Sequence, residues 1–229
     1  MKRVVVILDT VRFHESKILL WPEIGGTLYR ARALADETGG FYEEVKPLIE
    51  SFPGHVHLIT VGRGETAGLK VFKTDYRFLF PLYDFYEICL KEIKLARRED
   101  GDSMVIIHDF WIHNYFDDVG SLSDVIPDRA HEVYSAYISR IKRMVPIIKS
   151  LTKDTIGEEI ELFFTADHGE GFWERPTQCH HGPSCRDDQG IPLPEVMDIF
   201  LLKAWGDKKV LFNPDQQILK NLYRGHPIE

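Results

Sequence analysis

The sequence predicts an α/β protein with a largely parallel central sheet flanked by helices on both faces, and three observations predict it. The short apolar runs Val4–Leu8, Ser103–Ile107 and Ile160–Phe164, bounded by turn or polar residues, read as buried strands. Longer stretches with apolar residues at helical spacing lie between them, so strands and helices alternate along the chain. At or just past the end of each run stands an acid: Asp9, Asp109 and Asp167. In a parallel sheet those acids gather along one edge, where open α/β sheets bind their ligands.

The elements follow in order. Val4 to Leu8 is the first strand, with Asp9 at its carboxyl end. A poorly patterned stretch leads to Gly25-Gly26-Thr27. Leu28 to Glu37 is rich in helix formers (Ala31, Ala33, Leu34, Ala35), and Gly39-Gly40 would stop such a helix. Thr27 then falls at the N-cap. Phe41 to Phe52 reads as the next helix, His55 to Val61 as a strand and Gly62 to Lys73 as a loop. Phe80 to Glu99 is a long amphipathic helix, Ser103 to Ile107 a strand, and Asp128 to Leu151 a helix interrupted near Pro146. After the strand that leads to Asp167 come a Pro/Gly/His-rich loop, Arg175 to Pro194, a strand from Val196 to Leu202 and a short helix over Pro214 to Tyr223. With no repeat, low-complexity tract or linker, residues 1–229 are expected to form a single domain.

Composition narrows the function. Apolar content of 44% and charged content of 28% are those of a globular protein. The formal charge of −8 argues against a nucleic-acid backbone or an anionic membrane surface as the main partner. It still permits an anionic small molecule, because a bound metal reverses the local field. No apolar stretch reaches the roughly 20 residues of a membrane helix, and the apolar segment after Met1-Lys2-Arg3 is too short for a secretory signal. Three cysteines, Cys89, Cys179 and Cys185, do not suggest a disulfide framework. A cytoplasmic location is the expectation.

The chemistry concentrates in four segments. Thr165-Ala166-Asp167-His168-Gly169-Glu170 puts a carboxylate and an imidazole side by side where a buried strand ends, a pair ordinary among ligands of zinc and similar divalent ions. An Asp-His-Gly turn that merely caps a helix reads the same way. His108-Asp109-Phe110-Trp111-Ile112-His113 sets an acid and a histidine four apart, one helical turn or one tight loop. Cys179-His180-His181-Gly182 follows in the loop after the Asp167 strand. With Asp9 the set comprises three acids and three histidines, all at strand exits or in loops beside them, an arrangement that packing does not require.

These segments resemble the alkaline phosphatase and sulfatase superfamily of metal-dependent hydrolases. The resemblance is carried by Val4-Val5-Val6-Ile7-Leu8-Asp9-Thr10-Val11-Arg12, by Asp109-x-x-x-His113, by Thr165–Glu170 and by His181-Gly182, in the family's order and across most of the chain. It implies an alkaline phosphatase-like sandwich and two divalent ions, zinc foremost, with manganese or another ion as substitutes. One ion would be held by Asp9, Asp167, His168 and the nucleophile; the other by Asp109, His113 and His181, with His180 the alternative to His181. Asp109 favours the phosphatase-like, two-metal branch, and no cysteine lies in the Cys-x-Pro-x-Arg context of a formylglycine sulfatase.

The nucleophile implied is Thr27, since Thr27–Leu34 is similar to the phosphatase form of that motif, although Tyr29 and Arg30 depart from it and the gap from Asp9 is short. A helix N-terminus there would offer N–H groups and a positive dipole end to an anionic ester. Arg12 or Arg30 would neutralise ester oxygens, His108 and Glu170 would support ligands or substrate, and the reaction would be hydrolysis of a small-molecule phosphate ester. Sulfate or phosphonate hydrolysis, a phosphomutase-like reaction, and a degenerate member that binds metal or anion without turnover are the other readings.

Overall fold

The computed structural model describes residues 1–61, 78–79, 82–118, 129–157, 159–172, 179–180, 185–212 and 215–228. Its centre is an eight-stranded sheet. In chain order the strands are β1 (Lys2–Leu8), β2 (Thr27–Arg32), β3 (His55–Val61), β4 (Phe78–Leu79), β5 (Ser103–Asp109), β6 (Glu161–Thr165), β9 (Asp198–Lys203) and β10 (Lys209–Phe212). Across the sheet they run β10-β2-β9-β6-β1-β5-β3-β4, and β7 (Gly171–Phe172) and β8 (Cys179–His180) form a separate ribbon. Every pairing in the large sheet is parallel except those of β9 with β2 and β6.

Why the middle strands read so plainly is visible in their burial: Val4 to Leu8 are all fully buried, as are Val105 and Ile107 on β5 and Phe163 and Phe164 on β6. Helices cover both faces of a parallel sheet, so its central strands need apolar side chains in both directions. On one face α4 (Leu82–Arg98) presents Phe85, Ile88, Cys89, Ile93 and Ala96 at helical spacing and packs beside α5 (Ala130–Thr155). On the other, α3 (Thr38–Glu50) packs against α7 (Gln217–Arg224), with Phe41 edge-on to Tyr223; the short helices α1 (Phe13–Glu15), α2 (Trp21–Ile24) and α6 (Pro194–Met197) lie in the connections between strands. No helix among the described residues is long and apolar enough to cross a membrane.

Three elements differ from expectation. The segment expected to be a helix over 28–37 is strand β2, because Thr27–Arg32 pair with β9 on one side and β10 on the other. Those partners lie far along the chain, and the ladder overrides local helix propensity. Gly26 makes the entry possible: its φ is +77°, and a Cβ there would collide with the Lys203 carbonyl. Helix α3 starts at Thr38, so Gly39-Gly40 lie inside its first turn instead of ending an earlier helix. Helix α5 runs unbroken to Thr155 through Pro146, which lies on the solvent side. Strand β10 is an addition that the sequence reading did not anticipate.

Candidate metal centre

Strand order decides the site. β6, β1 and β5 are neighbours and parallel, so Asp167, Asp9 and Asp109 emerge at the same edge of the sheet. The Asp9 amide donates to the Asp109 carbonyl at 3.1 Å, and the Thr10 amide reaches Asp167 Oδ1 at 3.4 Å. Asp9, Asp167 and His168 are buried, and each offers a ligand atom within 4.8 Å of the others. The His168 ring nitrogen Nδ1 lies 2.7 Å from the Gly169 carbonyl. A carbonyl only accepts, so Nδ1 carries the hydrogen and Nε2 is the ring's ligand atom, 3.4 Å from Asp167 Oδ2 and 3.7 Å from Asp9 Oδ1. Gly169 permits this turn, since a Cβ would collide with the Glu195 carbonyl, and its amide donates to Val196 O at 2.6 Å.

The donor set fits a divalent cation. Two carboxylates and a neutral imidazole with a fixed tautomer are ligands for zinc or a similar ion. Asp9 Oδ1 is buried without a hydrogen-bond partner among the described residues. Burial, reinforced by Asp167 and Glu170, raises the Asp9 carboxyl well above the usual carboxylate range. Burial opposes ionisation of Asp167 too, but His168, His108 and the Thr38 hydroxyl outweigh it and hold that carboxyl below its ordinary value.

The residue missed in the sequence is Thr38. Its hydroxyl donates to Asp167 Oδ2 at 2.9 Å and lies 3.2 Å from His168 Nε2. It is the first residue of the 13-residue helix α3, whose leading N–H groups have no partner within the helix, and it is only half-buried. A threonine directly before an amphipathic helix was the available signal.

Thr27 is not at the site. It begins β2, with its hydroxyl bonded to the Asp207 carbonyl at 3.3 Å. Through β9 it is level with Phe163, four residues short of Asp167, roughly 13 Å along the strands. There is no helix N-terminus at that position to activate it. Arg12 is committed elsewhere as well: Glu15 grips its guanidinium bidentately at 3.1 and 2.5 Å, and the guanidinium lies over the Phe172 ring. Arg30 pairs with Asp198 on the neighbouring strand, away from the acids. Glu170 is fully buried close enough to raise Asp9, and its carbonyl faces Arg12.

His108 is fully buried in the cluster. Its Nε2 points at Asp167 Oδ2 from 3.6 Å, its Nδ1 is 2.5 Å from the Tyr42 hydroxyl, and Phe110 stacks on the ring at 4.1 Å. Burial keeps the imidazole neutral, with a pKa lowered to about 4. Asp109 faces the opposite layer. Trp111 donates its amide to Oδ1, Oδ2 has no hydrogen-bond partner among the described residues, and burial pushes the carboxyl up to about 7. His113 opens a 3₁₀ turn, His113–Asp118. His181 lies outside the described residues, as does the side chain of His180.

No family model and no curated protein matches the sequence. Solved structures do resemble the fold. A 2-O GAG sulfatase is similar over 100% of this chain and 75% of its own, with a TM-score of 0.62 and 10% identity. The phosphonate monoester hydrolase of Silicibacter pomeroyi is similar over 100% and 74%, with a TM-score of 0.61 and 10% identity. The C-terminal periplasmic domain of phosphoethanolamine transferase EptC from Campylobacter jejuni covers 96% and 86%, with a TM-score of 0.56 and 13% identity. All belong to the alkaline phosphatase/sulfatase superfamily, the one named from the motifs, and this chain has its α/β fold. At such identities the likeness is one of fold.

Proposed function

We propose that this protein is a metal-dependent hydrolase of small-molecule phosphate esters, mono- or diesters, that works through a covalent phospho-threonine at Thr38. The carrying observation is the contact of the Thr38 hydroxyl with Asp167 and His168 at the head of a helix. A divalent ion held by Asp9, Asp167 and His168 supplies Lewis-acid activation of the hydroxyl and neutralises charge.

The chain's own groups do the rest. The Thr38 hydroxyl already donates to Asp167 Oδ2, which orients Oγ1 toward phosphorus; as the new P–O bond forms, the ester oxygen departs and takes up the hydroxyl proton. The free N–H groups that open α3 face an anionic group attached at Thr38. With the Tyr42 hydroxyl donating to Nδ1, neutral His108 carries its proton on Nε2 and presents it to an oxygen of the transferred group. Attack of water on the phospho-threonine releases phosphate and restores the hydroxyl. A second ion would draw on Asp109, whose buried Oδ2 has no hydrogen-bond partner among the described residues; His113 and His181 are the further ligands that the resemblance implies, His181 lying outside those residues.

The test is a panel of aryl phosphate, diester, sulfate and phosphonate substrates with added zinc or manganese, followed by mass spectrometry of the quenched enzyme. Phosphate on Thr38 is the expected result. Turnover without any adduct on Thr38, unaffected by Thr38→Ala, overturns the reading.

A further inference from the structure

Asp9 and Asp167 converge because the chain turns sharply as it leaves β1, and that turn is unfavourable by itself. Thr10 has φ +67°, one of only two non-glycine residues in the left-handed region among those described. A β-branched residue there is an outlier that neighbouring structure must hold in place. Thr10 is fully buried, and its own hydroxyl has no hydrogen-bond partner among the described residues, so its side chain does not provide the hold.

Part of the hold is the turn's own bond, the Val11 amide donating to the Leu8 carbonyl at 3.3 Å; the rest comes from α5. The Tyr137 hydroxyl donates to the Thr10 carbonyl at 3.0 Å and accepts the Arg12 amide at 3.2 Å. One oxygen thus satisfies the two backbone groups on either side of Val11. The ring is itself fixed, fully buried between Phe172 at 4.7 Å and Tyr115 at 5.6 Å. On the other side of the turn, the Thr10 amide points to Asp167 Oδ1. We infer that Tyr137 is a positioning residue: its hydroxyl clasps the left-handed turn at Thr10 and so sets Asp9 against Asp167 and His168. The inference rests on the reading that these three residues hold an ion, and it assigns to α5 a part in making that ion's site.

Tyr137→Phe removes one oxygen and keeps the ring. Zinc affinity is measured by competition with a chromophoric chelator, and the visible spectrum of the cobalt-loaded protein reports ligand geometry. Support for a ligand typically changes metal affinity 10–100-fold. The expected result is a loss of at least about tenfold and an altered cobalt spectrum, with the melting temperature of the ion-free protein changed little. Thr10→Gly in the same chain, which removes the conformational penalty, is expected to bring affinity back to within about threefold of the parent.

Unchanged affinity in Tyr137→Phe, or a loss that persists undiminished with Thr10→Gly, overturns the inference. If Tyr137→Phe alone does not fold, recovery of folding and zinc binding in the double variant supports the clasp, and failure to recover overturns it. A parent protein that binds neither zinc nor cobalt removes the metal reading itself and the clasp with it; a parent that binds while Tyr137→Phe binds equally removes the clasp alone.

Discussion

Thr38 and Asp167 lie 129 positions apart in the chain, yet the hydroxyl of one donates to the carboxylate of the other at 2.9 Å. The bond joins the first turn of a helix to the exit of a central strand. Thr38→Ala should therefore abolish turnover by at least about a thousandfold, the scale on which removing a covalent nucleophile acts. Thr38→Ser should keep part of it, and Thr27→Ala should leave kcat unchanged, since the Thr27 hydroxyl bonds the Asp207 carbonyl away from the acids. Steady-state kinetics on the best aryl ester checks all three.

Metal and pH should be linked with a definite sign. Burial raises Asp9, and Asp109 to about 7, above the unfolded value near 4. The contribution of Asp109 to the ion-free protein is full below about pH 4 and lost as pH rises through about 7, and that of Asp9 is lost in the same direction. Asp167 is shifted the other way, and its contribution disappears only below about pH 4. Zinc binding requires the carboxylates ionised, against the burial that raises Asp9. The rise in melting temperature on adding zinc should be small at pH 5 and grow through pH 7. Thermal melts with zinc or with chelator at five pH values decide this, and a rise that shrinks over that range would contradict it.

Tyr42→Phe tests how His108 is held. The hydroxyl bonds Nδ1 at 2.5 Å, and removing it frees the buried ring to take the other tautomer. The expected outcome is a loss of about tenfold in kcat/KM, the order of one net hydrogen bond, with zinc affinity unchanged. His108→Ala should lose more. Equal zinc affinity in both variants separates this role from ligation.

How much of this was legible from sequence depends on where the information resides. The exits of β1, β5 and β6 were legible because strands covered on both faces must be apolar throughout, which leaves a local signature ending at Asp9, Asp109 and Asp167. Strand β2 was not, since Leu28, Ala31 and Arg32 suit a helix and become a strand only through partners on β9 and β10. Reading that segment as a helix gave Thr27 a helix N-terminus that the fold does not supply. Gly39-Gly40 were read as an ending, when they belong to the first turn of the helix that Thr38 opens. His108 drew little notice in the sequence, because only the fold puts Tyr42 and Asp167 on either side of its ring.

Stability should depend on Arg3 at the opposite edge of the sheet. Fully buried, it meets Glu161 Oε2 at 3.0 and 2.5 Å, lies over the Phe163 ring, and donates to the Leu222 carbonyl at 2.8 Å and the His226 carbonyl at 3.1 Å. Arg3→Ala strips partners from a half-buried acid and from the end of α7, at a loss of about 3 kcal/mol. Chemical denaturation measures the loss, and hydrogen exchange should find α7 opening first.

The end of β5 serves two chambers at once. Consecutive side chains on a strand face opposite ways, so His108 looks toward Tyr42 and Asp167 while Asp109 turns toward the layer that holds Arg140. Pairing with β1, Ile7 to His108 and Leu8 to Asp109, sets which residue faces which way. Removing a single residue upstream in β5 would exchange imidazole and carboxylate between the chambers, with composition almost intact and both sites void. Spacing along that strand is thus under as strict a demand as the identity of the two residues at its tip.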